Sequence, residues 1–168
     1  VGKWFAEVAA RRGTFDVELV DLKEINLPLI DEPNHPVKRQ YQNAHTKAWS
    51  ASVNAADAFV FVTPEYNYGL PPALVNALDY LYFEWHYKPA AFVSYGGVSG
   101  GLRSVQMSKQ IVTTLKMMPI PEGVTIQFVQ KLIDDKGGFN PGDSLNEPAA
   151  KLLDELLKWS NALKTLRA

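Results

Sequence analysis

Short apolar segments alternate regularly with longer amphipathic segments along this sequence. Residues 58–62 (AFVFV) and 90–95 (AAFVSY) are apolar on both faces, which is typical of parallel strands covered by helices on both sides. Residues 16–22 and 124–129 alternate apolar with polar side chains and predict two further strands. Helices are predicted around them, over residues 1–12, 37–57, 72–84, 102–118 and 146–166. Strict alternation of this kind predicts an α/β fold with a mainly parallel sheet.

The bulk composition agrees with one globular domain spanning residues 1–168. The chain is 46% hydrophobic and 21% charged, so it can bury a core of ordinary size. Its 17 basic and 18 acidic residues give a net charge of −1. The chain therefore has no excess of positive charge that would favour binding to nucleic acid or to an anionic membrane. The chain has no cysteine, which excludes disulfides and thiolate catalysis. A cytoplasmic location is the expectation.

Two loops in this order of elements have unusual sequences. Residues 63–72 (TPEYNYGLPP) follow the first apolar strand, and residues 96–101 (GGVSGG) follow the second. The carboxyl ends of parallel strands lie at one edge of the sheet, where ligands bind in α/β proteins, so the two loops are expected to converge.

Each loop has a ligand-binding and a purely structural interpretation. Four glycines in six residues allow a ligand to approach main-chain N–H groups, which favour negative charge. Their spacing matches neither a Walker A loop nor the dinucleotide fingerprint, and a flexible surface loop is the alternative. In the first loop Tyr66 and Tyr68 offer flat faces to a planar ligand, and Asn67 can donate and accept hydrogen bonds. The alternative there is a tight turn.

Other kinds of site have little support. His35, His45 and His86 have no metal-binding spacing and are predicted to be ordinary surface residues. Ser99 is not predicted to be a hydrolytic nucleophile, because no Asp and His follow it in the required order. The basic residues within 103–110 could help to bind the phosphate of a nicotinamide cofactor, but a solvated face of a helix is the preferred interpretation.

Residues 63–81 (TPEYNYGLPPALVNALDYL) and 88–105 (KPAAFVSYGGVSGGLRSV), taken together, resemble the NADPH-dependent FMN reductase family of the flavodoxin-like superfold. That family includes FMN, quinone, azo-dye and chromate reductases. The resemblance implies a doubly wound, five-stranded parallel sheet, FMN as the cofactor and NADPH or NADH as the co-substrate. It implies that the flavin is bound by residues of both loops, namely Pro64, Glu65, Tyr66, Asn67, Tyr68, Ser94, Tyr95, Gly96, Gly97, Val98, Ser99 and Gly100. The chemistry would be that of the flavin, so no catalytic side chain and no metal is expected.

The start of the chain departs from the family pattern. The sequence opens inside a helical pattern, whereas the family has a first strand and a phosphate-binding loop before that helix. We therefore expect such a strand and loop to precede Val1.

The implied function is that of an oxidoreductase that passes electrons from NAD(P)H through FMN to a small acceptor such as a quinone, a flavin or an azo compound. The alternative is a flavodoxin-like electron carrier without turnover of its own. Carriers of that fold tend to be strongly acidic, so the near-neutral charge favours the enzyme. Large aromatic residues at positions 80–87 predict a homodimer or homotetramer formed through a helix over residues 72–85, because they cannot all face one sheet. The alternative is that they form a lid that covers the flavin within one chain.

Overall fold

A computed structural model of the chain describes residues 1–167. Its sheet has three parallel strands in the order β1-β2-β3, namely β1 (Phe59–Pro64), β2 (Pro89–Tyr95) and β3 (Met118–Ile126). The α-helices are α1 (Gly2–Arg11), α2 (Leu22–Ile25), α3 (Ala44–Ala55), α4 (Pro72–Asp79), α5 (Leu102–Thr114) and α6 (Asn146–Lys164). Short 3₁₀ turns occur at Pro36–Lys38, Phe83–Trp85, Val129–Leu132 and Asp143–Leu145.

Helices cover both faces of the sheet, so the doubly wound α/β prediction is confirmed. Along the central strand β2, Ala91 and Val93 contribute to a core with α1 and α6, while Ala90 and Phe92 contribute to a core with α3, α4 and α5. Every side chain from Pro89 to Ser94 is buried. This two-sided burial explains why the strand sequence is apolar throughout rather than alternating.

The strand predicted at residues 16–22 does not form. Within residues 1–167 the sheet has three of the four strands predicted there, and the segment before α2 is neither helix nor strand. Two of its apolar side chains still contribute to the cores, since Val17 packs against the α1/α6 core and Val20 against the opposite one, whereas Leu19 is exposed. The alternating pattern therefore indicates only that side chains are buried on two sides of the segment. A strand also needs a neighbouring strand to form its main-chain hydrogen bonds.

The helix predicted over residues 37–57 begins later, at Ala44. Its start is fixed by Glu32, whose carboxylate accepts hydrogen bonds from the main-chain N–H groups of Gln42 (2.7 Å) and Asn43 (2.9 Å). These contacts hold the residues before α3 in a loop, because N–H groups at a helix start need acceptors from outside the helix.

The helix predicted over residues 72–85 ends at Asp79, and this changes where its aromatic residues lie. Tyr80 is fully buried and its hydroxyl donates to the carbonyl of Pro28 at 3.1 Å. Trp85 is 1% exposed and its indole N–H donates to the carbonyl of Leu78 at 3.1 Å. The main aromatic residues of this segment are thus covered by the chain itself. They give no support to an interface, and the homo-oligomer stays an untested prediction.

Candidate flavin site

The two unusual loops begin at neighbouring points of the sheet, as predicted. Pro64 at the end of β1 pairs in register with Tyr95 at the end of β2. The parallel pairing of these strands brings the first loop, residues 64–70, beside the second, residues 96–101. Their convergence follows from the strand register alone.

The first loop closes in a two-residue turn. The main-chain groups of Tyr66 and Gly69 exchange hydrogen bonds of 3.0 and 2.8 Å, and the turn residues Asn67 and Tyr68 have φ angles of 49° and 69°. Asn tolerates a positive φ at such a position, whereas the same left-handed backbone is unfavourable for a tyrosine by about 1–2 kcal/mol. The side chains of Tyr66 and Tyr68 are 57% and 68% exposed. The turn interpretation is thus correct, and the turn presents two tyrosines to the outside.

The second loop directs its carbonyl groups toward the residues after β3. The carbonyls of Gly96 and Gly97 accept from the main-chain N–H groups of Val129 (3.1 Å) and Phe128 (3.0 Å), and that of Val98 accepts from the side chain of Gln127 at 2.8 Å. These bonds fix the loop, so the Gly-rich segment is anchored rather than loose.

The N–H groups of the same loop are left available. Those of Gly97, Val98 and Ser99 donate to no acceptor within the described chain. Gly97 and Val98 are exposed, with α5 beginning just beyond. Three adjacent donors near a helix start form a site for negative charge or for the polar edge of a ligand.

Two glycines at the end of this loop are required by close packing. A Cβ on Gly100, which has φ +58°, would lie 2.6 Å from Cγ2 of Thr125. A Cβ on Gly101, which has φ +84°, would lie 2.9 Å from Cβ of Ser94 and from the backbone of Tyr95. Ser94 therefore lies beneath the loop and is only 1% exposed. Its hydroxyl has no hydrogen-bond partner in the described chain. It supports the loop from below.

Glu65 joins the two loops. Its carboxylate accepts hydrogen bonds from the hydroxyl of Ser99 at 2.8 Å, from the main-chain N–H of Arg103 at 3.1 Å and from the Arg103 guanidinium at 2.8 Å. Burial would raise the pKa of Glu65, but the hydrogen bonds from Arg103 and Ser99 outweigh it and hold that pKa below its usual value. The same ion pair raises the pKa of Arg103. The Glu65 side chain is only 9% exposed, so it braces the loops, while the tyrosines and N–H groups face outward.

Arg103 was missed as a member of this site. Its guanidinium carbon lies 4.1 Å above the ring of Tyr68, a cation–π contact that steadies the strained tyrosine. The side chain is 45% exposed, which fits the predicted solvated face only in part. Its position directly after the glycine loop, in the first turn of α5, was the sequence signal that placed it near the site, but that signal did not identify Glu65 as its partner.

Tyr95 lies between the two loops at the end of β2. Its side chain is half-buried, and burial, followed by the proximity of Tyr66, raises its pKa. The strand register places Tyr95 directly opposite Pro64, so the end of β2 lies beside the start of the first loop. All twelve predicted residues therefore lie at one edge of the sheet. Some of them are exposed to solvent, and others are buried beneath the two loops.

The fold is that of a flavodoxin-like α/β domain, with helices on both faces of a parallel sheet. The NADPH-dependent FMN reductase family matches residues 1–131, and the chain belongs to that family.

The similar proteins have consistent descriptions. The chain is 46% identical to an NAD(P)H-dependent FMN reductase of Schizosaccharomyces pombe over 72% of its own length and 61% of that relative. It is 34% identical to an NAD(P)H-dependent FMN reductase of Nectria sp over 97% of its length and 83% of that relative. The fold is shared with FerB, a flavoenzyme NAD(P)H:(acceptor) oxidoreductase of Paracoccus denitrificans, with a TM-score of 0.72, 19% identity and coverage of 96% and 90% of the two chains. Among residues 1–167, none of the helices is both long and apolar enough to cross a membrane.

Proposed function

We propose that the chain, as a single domain over residues 1–168, binds FMN between residues 64–68 and 94–100 and oxidises NADPH or NADH. The observation that carries this proposal is the row of N–H groups at Gly97, Val98 and Ser99, without partners in the described residues, beside the exposed rings of Tyr66 and Tyr68. A flavin ring presents a flat apolar face and a polar edge, and the reduced form carries negative charge on that edge. The chemical character of the two loops fits both parts.

The protein groups have distinct parts in this proposal. The N–H groups of the second loop bind the polar edge of the ring and favour its reduced, anionic form, because preorganised donors stabilise developing negative charge. Tyr66 and Tyr68 contact the ring and exclude water from it. Glu65 and Arg103 keep the two loops at a fixed separation through their 2.8 Å ion pair.

FMN held between residues 64–68 and 94–100 would supply the redox chemistry between the nicotinamide and the acceptor. The open face beside the tyrosines admits the nicotinamide and the acceptor one after the other. We propose a quinone, a flavin or an azo compound as the acceptor and a ping-pong order of reaction. A cytoplasmic location remains a prediction.

The deciding experiment is a flavin titration followed by kinetics. Purified full-length protein should quench FMN fluorescence with a stoichiometry of one per subunit, and parallel initial-rate lines should appear when NADPH and a quinone are varied. Protein that neither retains nor binds FMN would refute the proposal. Protein that binds FMN but does not oxidise NADPH would support the electron-carrier alternative.

A further inference from the structure

A cavity lies at the opposite end of the strands from the two flavin loops. It has a volume of about 590 Å³ and is lined by residues that precede β1 and β2 and by the end of α6. Its charged lining residues are Arg39, Asp57, Glu84, Lys88, Lys164 and Arg167. The flavin proposal uses none of them.

Positive charge exceeds negative charge in this lining. Asp57 already pairs with Lys164 at 2.7 Å and with Arg167 at 3.1 Å. Glu84 is turned inward and accepts hydrogen bonds from the hydroxyls of Ser50 (2.7 Å) and Tyr41 (3.2 Å). No carboxylate within the described residues lies at ion-pair distance from Arg39 or Lys88.

The ammonium group of Lys88 is buried beside this cavity and has lost most of its contact with water. The residue is 4% exposed, and its ammonium group donates to the carbonyls of Val53 (2.8 Å) and Asn54 (3.1 Å) at the end of α3. Burial, followed by the charge of Arg167, lowers its pKa to about 8. Lys88 is thus mostly charged at neutral pH, with a third N–H that its two carbonyl partners do not use.

His86 adds a polar group without a partner. The sequence predicts it as a surface residue, but it is 8% exposed, because Tyr82 and Phe83 pack around its ring at 4.6 and 5.0 Å. Its Nε2 atom has no hydrogen-bond partner in the described chain. Burial lowers the pKa of His86, and the charges of Lys116 and Arg39 lower it further. A buried ring nitrogen among cations is stabilised when an anion enters beside it.

We propose that this cavity is a binding site for a phosphate-type anion, held by Arg39, Lys88 and Lys164. Arginine forks and lysine ammonium groups are the side chains that bind phosphate oxygens most strongly. Arg39 is already oriented, since its guanidinium carbon stacks 4.6 Å from the ring of Phe83 at the cavity wall. The site is distinct from the flavin loops, because it lies at the amino-terminal ends of the same strands.

The test uses flavin-loaded, full-length protein titrated with inorganic pyrophosphate at low ionic strength by calorimetry. We expect one saturable site and no release of flavin. The double variant Arg39→Gln/Lys164→Gln should weaken pyrophosphate binding by about tenfold or more. Lys151→Gln is the matched control, since it removes one charge from the exposed surface of the same helix α6 and should leave the affinity unchanged.

A second measurement follows His86 directly. Its imidazole ring protons should shift on NMR titration with pyrophosphate, while those of His35 and His45 stay fixed; the three signals are assigned with the His35→Gln and His45→Gln variants. The proposal is overturned by the absence of saturable binding, by equal weakening in Lys151→Gln, by displacement of flavin, or by unchanged His86 signals at saturation.

Discussion

The carboxylate of Glu65 accepts hydrogen bonds from both the guanidinium of Arg103 (2.8 Å) and its main-chain N–H (3.1 Å). The residue at the end of the first strand is thereby tied to the helix that starts after the second loop. A bidentate contact of this kind fixes orientation as well as distance, because both carboxylate oxygens are used. The separation of the two flavin loops therefore depends on a pair of residues 38 positions apart.

Replacing Arg103 by alanine should weaken FMN binding without unfolding the protein. The change removes the guanidinium bond to Glu65 and the contact over Tyr68, so the first loop loses its lateral support. We expect the FMN dissociation constant to rise by about tenfold, which corresponds to roughly 1.4 kcal/mol. Fluorescence titration measures it, and Lys109→Ala, farther along α5, should leave it unchanged. Equal losses in the two variants would mean that Arg103 acts only through general positive charge.

The Glu65 interactions should make stability depend on pH in the acid range. The hydrogen bonds from Arg103 and Ser99 outweigh burial and depress the pKa of Glu65 in the folded protein. A depressed carboxyl pKa stabilises the fold at pH values above the unfolded pKa of about 4.3, and this stabilisation is lost as pH falls through the lower folded value.

The Glu65→Gln variant tests that dependence. It should be less stable than the original protein at pH 7 by about 1–3 kcal/mol, because charge-assisted hydrogen bonds are lost. The difference should shrink as the pH is lowered through the acid range, as measured by urea unfolding at several pH values. A difference that stayed constant with pH would show that the charge of Glu65 contributes nothing.

The glycines of the second loop should differ sharply in their tolerance of a methyl group. Gly101→Ala places a Cβ 2.9 Å from the backbone of Tyr95 and forces a non-glycine residue into φ +84°. The backbone strain alone costs about 1–3 kcal/mol. Gly97→Ala is the control, since its Cβ meets no atom within 4 Å. Thermal unfolding should therefore show a clear loss for Gly101→Ala and little change for Gly97→Ala; similar melting temperatures would contradict the loop geometry.

Tyr68 should contribute to ligand binding more than to stability. Tyr68→Gly relieves the left-handed backbone at φ 69° but loses the Arg103 contact, and these opposing effects leave the unfolding free energy within about 1 kcal/mol of the original. FMN binding should weaken, because an aromatic face is removed from the site. Asn67→Gly at the adjacent turn position is the control for backbone flexibility. A variant that binds FMN as well as the original protein would remove Tyr68 from the proposed site.

The sequence predicted those elements of the fold whose side chains are buried on one face or on both faces. The apolar strands β1 and β2 and the convergence of their loops follow from pattern and chain direction, and both were correct. Residues 16–22 show the limit, since the segment alternates like a strand but Val17 and Val20 pack on two cores and no strand within residues 1–167 pairs with it. The Glu65–Arg103 ion pair could not be predicted for a related reason. Partners far apart in sequence are set by the relative position of the loops and not by the local sequence pattern.

The position of Trp85 illustrates the same limit and allows a final prediction. Helical periodicity predicted that the aromatic residues at 80–85 could not all face the sheet, but α4 ends at Asp79. Trp85 turns inward, with its ring 5.0 Å from that of Phe59 and 6.0 Å from that of Trp49. Trp85→Ala should thus destabilise the folded chain by about 3–5 kcal/mol, as expected for a buried tryptophan. Phe83→Ala is the control, because that ring is 36% exposed and should cost much less. Urea unfolding should show the loss for Trp85→Ala independently of protein concentration, since the side chain packs within one chain. A loss that grew on dilution would instead place Trp85 at a contact between subunits and restore the interface first inferred from the aromatic pattern.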